Sequence, residues 1–231
     1  MLVGSSSRSY RDVLSDYDVE VVVTNEYYSM LTDKDTFYEN EEHQIEFLFF
    51  SEDDFKAKIN SCKDVEHWPY EECTILYDPQ QRMDELLTPI IMMDPEVREQ
   101  RLKLHYFEFL FGAKRIERTM MRGNKLNTHL VTSQMLMSLI KLLFLLKYKW
   151  PPLLHWTFEN LNEMNEIPVE LKQMMTEIII HPDGKLANSL IQAVDNLLTD
   201  EGADFHYIKT DVTREISAKA FRPIREKYSV L

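Results

Sequence analysis

The sequence predicts an α+β chain: a mixed sheet with flanking helices over residues 1–90, then an all-α helical bundle over residues 91–231. Three observations carry that reading. Short β-branched and aromatic runs, Asp18–Val23 and Gln44–Phe50, fall within the first half. From about Pro95 the apolar period changes to that of a helix, with Leu102, Phe109, Leu110, Ala113, Ile116 and Met120 in one stripe. No repeat and no Gly/Ser-rich linker separates the halves, so the boundary near residues 85–95 is a change of period and not a tether.

The elements follow in order. Met1–Val3 reads as a short strand and Asp18–Val23 as a strand with Val19, Val21 and Val23 on one face. Glu26–Leu31 suits a short helix; Thr36–Tyr38 and Gln44–Phe50 suit strands. Ser51 is a capping residue before an acidic first turn, Glu52-Asp53-Asp54, which the helix dipole favours. Thr74–Tyr77 reads as a last strand, stopped by Asp78-Pro79. Val97–Met121 and Thr128–Lys147 are long helices divided at Arg122-Gly123-Asn124, and Pro151-Pro152 stops the second. Val169–Ile179, Gly184–Leu198 and Val212–Tyr228 complete the bundle.

Composition narrows the function classes. The 231 residues are 44% hydrophobic and 11% aromatic, enough for a packed core. Asp plus Glu number 39 against 26 Lys plus Arg, a net charge of −13 that repels nucleic acid over most of the surface. Two cysteines, Cys62 and Cys73, match no zinc spacing and read as reduced thiols. The most apolar window, Met135–Phe144, is too short to span a bilayer, and the start has no signal-peptide pattern. The expectation is a soluble cytoplasmic protein with no membrane partner.

The chemistry is concentrated at the start of the chain. Asp16 and Asp18 stand two apart at the head of a strand, so both carboxylates point to one side. Such oxygens suit a hard dication such as Mg²⁺. Glu46 interrupts the apolar run QIEFLFF, where an acid requires a partner, and is a candidate third ligand. Gly4 and Ser5 form a turn whose backbone can approach a phosphate closely, and Ser6, Ser7 and Arg8 add donors.

Gly4-Ser5, a spacer of ten residues, then Asp16-Tyr17-Asp18-Val19 resembles the signature of the nucleotidyltransferases of the DNA polymerase beta superfamily. Within that superfamily the likeness is to the antibiotic-modifying branch, the aminoglycoside and lincosamide nucleotidyltransferases, with an appended helical domain of unknown function. The segment Leu145–Pro152 with His155-Trp156, and the Met121–Asn124 turn, are similar to part of that helical domain. The resemblance implies a nucleotidyltransferase-type sheet domain and a role for each residue. Gly4 and Ser5 would hold the triphosphate of a nucleoside triphosphate (NTP) co-substrate. Asp16, Asp18 and Glu46 would be catalytic and would bind two Mg²⁺ ions, with Glu46 accepting the proton of the acceptor hydroxyl. Arg8, Lys141 and Lys147 would help bind the nucleotide. The implied reaction moves a nucleoside monophosphate to a small, cationic, aminoglycoside-like acceptor and releases pyrophosphate. Two departures, Glu in place of the usual third Asp and only Met1–Val3 before the turn, support an alternative: a catalytically degenerate fold serving as a nucleotide-binding or protein-interaction module.

Other charged residues have plainer roles. Glu20 shares the face of Asp18 and reads as a supporting acid paired with Arg8 or Arg11. Lys141 and Lys147 also suit snorkelling from an apolar helix. Arg115, Arg118 and Arg122 complement a helix C-terminus. His43, His129 and His155 read as packed or surface groups, and Glu39–Glu42 as a solvated turn.

Overall fold

The structure is a computed structural model that describes residues 1–9, 11–202, 214 and 216–230. It is α+β as the sequence predicts: a four-stranded mixed sheet first, then mostly helices. Two compact units divide it, Met1–Met93 with Trp150–Glu159, and Asp94–Lys149 with Asn160–Leu231.

In the first unit β1 (Leu2–Val3), β2 (Tyr17–Val23), β3 (Phe37–Asn40) and β4 (Ile45–Ser51) lie in the order β1-β2-β4-β3. β2 and β4 are parallel; β1 and β3 flank them antiparallel. The register sets Asp18 beside Glu46, Glu20 beside Leu48 and Val22 beside Phe50, so these six share one face. At one end of that face Val22 and Phe50 pack against a core of Val3, Phe55, Tyr70, Leu86, Leu87 and Ile90. Burial of a side chain such as Phe55, fully inaccessible, contributes roughly 1.5–3 kcal/mol. At the other end Asp18 and Glu46 stay half-buried and outside that core.

The helices of this unit are α1 (Asn25–Tyr28), α2 (Glu52–Ala57) and α3 (Met83–Ile91). Ser51 caps α2 by accepting the Asp54 amide at 3.0 Å, as its sequence position implies. α3 lies within the stretch that reads only as a change of period; it carries Pro89 and still buries Leu86, Leu87 and Ile90. The predicted strand Thr74–Tyr77 does not form. Thr74 alone exchanges backbone hydrogen bonds with Leu2, because β1 is two residues long and offers no further edge; Leu76 and Tyr77 are exposed. Both cysteines are free thiols.

In the second unit α4 (Pro95–Met121) packs along α5 (Lys125–Leu146) and α8 (Gly184–Asp200), and α7 (Val169–Ile180) packs on α5 and α8. α6 (Thr157–Glu163) starts in the first unit and ends in the second. Gly123, at φ 73°, makes the turn that the sequence shows between α4 and α5. α5 is longer than its most apolar window. It is long and apolar enough to cross a membrane by length and composition, yet 56% of its apolar stretch is buried inside the protein, which suits the core helix of a soluble unit. The single helix expected over Val212–Tyr228 is broken: a 3₁₀ turn at Lys219–Phe221 precedes a helix at Arg222–Tyr228, and residues 212, 213 and 215 lie outside the described residues. Pro223 explains the restart, since proline suits the first turn of a helix and not its interior.

A buried polar cluster, not visible in the hydrophobic pattern, fastens the described C-terminal end to α4. Glu108, 1% exposed, accepts hydrogen bonds from the Val230 amide at 3.2 Å and from the hydroxyls of Ser138 and Ser229. His105, fully buried, meets the same carboxylate at 3.3 Å. Burial holds the His105 imidazole below its usual range, whereas its hydrogen bond to Glu108 pulls the other way.

Gly112 of α4 lies close against α5, where an added Cβ would lie 2.7 Å from the Met135 Cβ. Gly112→Val is expected to cost about 1–3 kcal/mol by overpacking, read as a lowered denaturant midpoint in equilibrium unfolding.

Candidate functional site

The Gly-Ser turn is a 3₁₀ turn, Gly4–Ser7, entered directly from β1. Gly4 has φ 71°, and a Cβ built there would lie 2.5 Å from an Asp18 carboxylate oxygen. Conformation and space both require glycine. The Ser6 hydroxyl donates to the Asp16 carbonyl and ties the turn to the head of β2. Ser7 donates to the Gly4 carbonyl at 2.9 Å. Arg8 is buried; its guanidinium donates to the Gly4 carbonyl at 2.8 Å and to the Trp68 carbonyl at 2.7 Å, and stacks 4.0 Å over the Trp68 ring. Arg8 thus braces the turn from behind. Arg11 stacks on Tyr17 at 4.2 Å, so neither arginine pairs with Glu20; that acid accepts the Tyr70 hydroxyl at 2.7 Å instead.

Asp16, Asp18 and Glu46 converge. One carboxylate oxygen of each lies within 4.8 Å of the others. The parallel register of β2 and β4 does this, setting Asp18 beside Glu46. Glu39, on β3 and not in a turn, stands beside Glu46 in turn and extends the row of acids. Burial, then the charges of Asp16 and Glu46, raise the Asp18 carboxyl to about 6. Burial, then Asp16 and Glu39, also raise Glu46. Every charge that shifts these two groups is negative. Three oxygens of this kind at this spacing fit a hard divalent cation.

Two adjoining cavities include the acids in their walls, both lined by first-unit residues. The larger, about 690 Å³, holds Asp18, Glu20, Glu46, Phe50, Lys58 and Tyr70. The smaller, about 540 Å³, holds Ser5, Asp16, Asp18, His155, Trp156 and Glu159. Gly4, Asp18, Trp68 and Leu153 are common to both. The segment Trp150–Glu159 belongs to this unit although it follows α5 in the chain. Its anchor is Trp150, which donates its amide to Glu71 and its indole N–H to the Ile91 carbonyl, each at 2.7 Å, and stacks on His67 at 3.9 Å. Sequence reading takes Pro151-Pro152 as a helix stop; it gives no sign that the chain returns to the sheet unit there. Lys141 and Lys147 belong to the second unit, where Lys147 pairs with Glu201. Arg115 there stacks on Phe111 at 3.7 Å.

A family model described as "Domain of unknown function (DUF4037)" matches residues 69–157. The matched stretch runs from the turn that carries Tyr70 to the return segment with His155 and Trp156, and leaves out Gly4–Glu46. No curated protein matches the chain.

The raised Asp18 carboxyl has a signed consequence. The folded chain keeps a proton between pH 4 and 6 that the unfolded chain releases, so Asp18 costs stability as pH rises through that window. Asp18→Asn is expected to flatten that part of the pH dependence and to raise the melting temperature at pH 7.5 in metal-free buffer.

Proposed function

We propose that the chain is a Mg²⁺-dependent nucleotidyltransferase that moves a nucleoside monophosphate from an NTP to a hydroxyl of a small cationic acceptor of aminoglycoside-like chemistry. The convergence of Asp16, Asp18 and Glu46, with Gly4 packed against Asp18, is the observation that carries this reading. Mg²⁺ held by the three acids would supply charge neutralisation at the attacking and leaving oxygens. Gly4 and Ser5 would hold the triphosphate beside Asp16. Glu46 would take the hydroxyl proton as the acceptor oxygen bonds to the α-phosphorus and the bond to the pyrophosphate oxygen breaks.

The two cavities adjoin, sharing Gly4, Asp18, Trp68 and Leu153, and would set NTP and acceptor beside the same carboxylate. The smaller, with Ser5 and Asp16, suits the NTP; the larger, with Glu46, suits the acceptor. Glu20, Asp54 and Glu66 outnumber the single cation Lys58 among the larger cavity's remaining charged walls, and the protein carries −13 overall. Both favour a cationic acceptor over nucleic acid.

Titration calorimetry with each NTP, with and without Mg²⁺, tests the reading. Binding by the wild type is expected to require Mg²⁺, and the Asp16→Ala/Asp18→Ala pair is expected to weaken it by roughly 100-fold, two decades at about 1.4 kcal/mol each. A folded wild type that binds no NTP would favour the degenerate interaction module instead.

A further inference from the structure

We infer that His155, on the return segment, donates a ring N–H to the triphosphate of the NTP and holds its pyrophosphate part in the smaller cavity; this rests on the nucleotidyltransferase reading above. His155 lines that cavity together with Gly4, Ser5, Asp16 and Asp18, the residues assigned to the triphosphate and the metal. At about 540 Å³ the cavity lies within the range that takes a whole small-molecule ligand.

The donors in and around the Gly-Ser turn are engaged inside the protein. Ser6 donates to the Asp16 carbonyl and Ser7 to the Gly4 carbonyl, and the Ser15 hydroxyl donates to the Asp12 carboxylate at 2.9 Å. The Arg8 guanidinium bonds two carbonyls and lies against the Trp68 ring, and Arg11 is stacked on Tyr17. Lys141 and Lys147 belong to the second unit. None of Arg8, Lys141 and Lys147, the cations that the sequence offers for the phosphates, lines the smaller cavity. His155 does, and it is exposed. Its ring lies 5.6 Å from that of Trp156, and among the described residues neither ring nitrogen has a hydrogen-bond partner.

The charge of the cavity adds the energetic reason. Asp12, Asp16, Asp18 and Glu159 line it, and a metal would offset only the acids that bind it. A triphosphate entering there meets like charge, and an N–H aimed at its oxygens makes a charge-assisted hydrogen bond, the stronger kind. An imidazole supplies such a donor in its neutral form as well as its charged one. The backbone under His155 is held in place. Trp150, earlier in the segment, is pinned by two hydrogen bonds and a ring stack, and the turn Leu154–Trp156 closes with the Trp156 amide on the Leu153 carbonyl at 3.0 Å.

The test compares inorganic tripolyphosphate with ATP, both with Mg²⁺, on the full chain. His155→Ala is expected to weaken both ligands alike, by about tenfold, the loss of one hydrogen bond to a charged group. His155→Gln, which keeps an N–H donor, is expected to retain most of the affinity, and His155→Glu to weaken both ligands further than alanine does. In the wild type the imidazole C–H resonances of His155, assigned by their loss in His155→Gln, are expected to shift with tripolyphosphate. Because His155 is exposed, the variants are expected to keep the wild-type melting temperature, which separates a lost contact from a lost fold. Equal tripolyphosphate affinity in wild type and His155→Ala, or a loss confined to ATP, overturns the role of His155 while leaving the nucleotidyltransferase reading standing. Failure of both ligands to bind the folded wild type overturns both.

Discussion

The first unit is organised around the repulsion among Asp16, Asp18 and Glu46. Two like charges 4.8 Å apart repel by on the order of 3 kcal/mol at the effective dielectric of a protein surface. Nothing in a hydrophobic sheet gains from that arrangement, and no fold places three acids together to stabilise itself. Burial first, and this repulsion after it, hold the Asp18 and Glu46 carboxyls above their usual range. The three carboxylate oxygens lie close enough together that they could hold a divalent cation.

The rest of the unit holds the acids in place against their own repulsion. The hydrogen-bond ladder of β2 and β4 fixes Asp18 beside Glu46, and the core around Phe55 and Leu86 anchors the far end of the same face. The Ser6 hydroxyl and the buried Arg8 lock the Gly-Ser turn against the head of β2. Glu20, the next acid along, accepts the Tyr70 hydroxyl, which supports its ionised form against the burial that disfavours it. The same backbone brings Gly4 so close to Asp18 that any side chain there would have to displace the Asp18 carboxylate.

The proposed reaction would draw on that bracing. Phosphoryl transfer asks little covalent chemistry of a protein and much positioning. Under the proposed reading, a braced turn, three convergent oxygens and two adjoining cavities would supply that positioning. The return of Trp150–Glu159 to the sheet unit closes the smaller cavity with a histidine and a tryptophan, and it lies within the stretch that the DUF4037 model matches.

The sequence by itself determined the α+β order of elements, the Ser51 cap, the Gly123 turn and the shared side of Asp16 and Asp18, while the register of β2 and β4 brought Glu46 to them. Each feature legible in the sequence follows from local spacing: alternation puts i and i+2 on one face, and a cap or turn residue acts within a few positions of itself. Only the tertiary structure decided the rest, because long-range contacts have no period. Thr74–Tyr77 has strand composition but too short a neighbour to pair with. Glu39 reads as part of a polar turn until β3 aligns it with Glu46. Glu20 reads as a partner for arginine until Trp68 and Tyr17 claim both candidates. His105 and Glu108 sit inside an apolar helix pattern that hides a buried polar cluster. Trp156 lies far along the chain from Ser5, and what puts both on one cavity is the anchoring of Trp150, a contact that no reading of neighbours in sequence can supply.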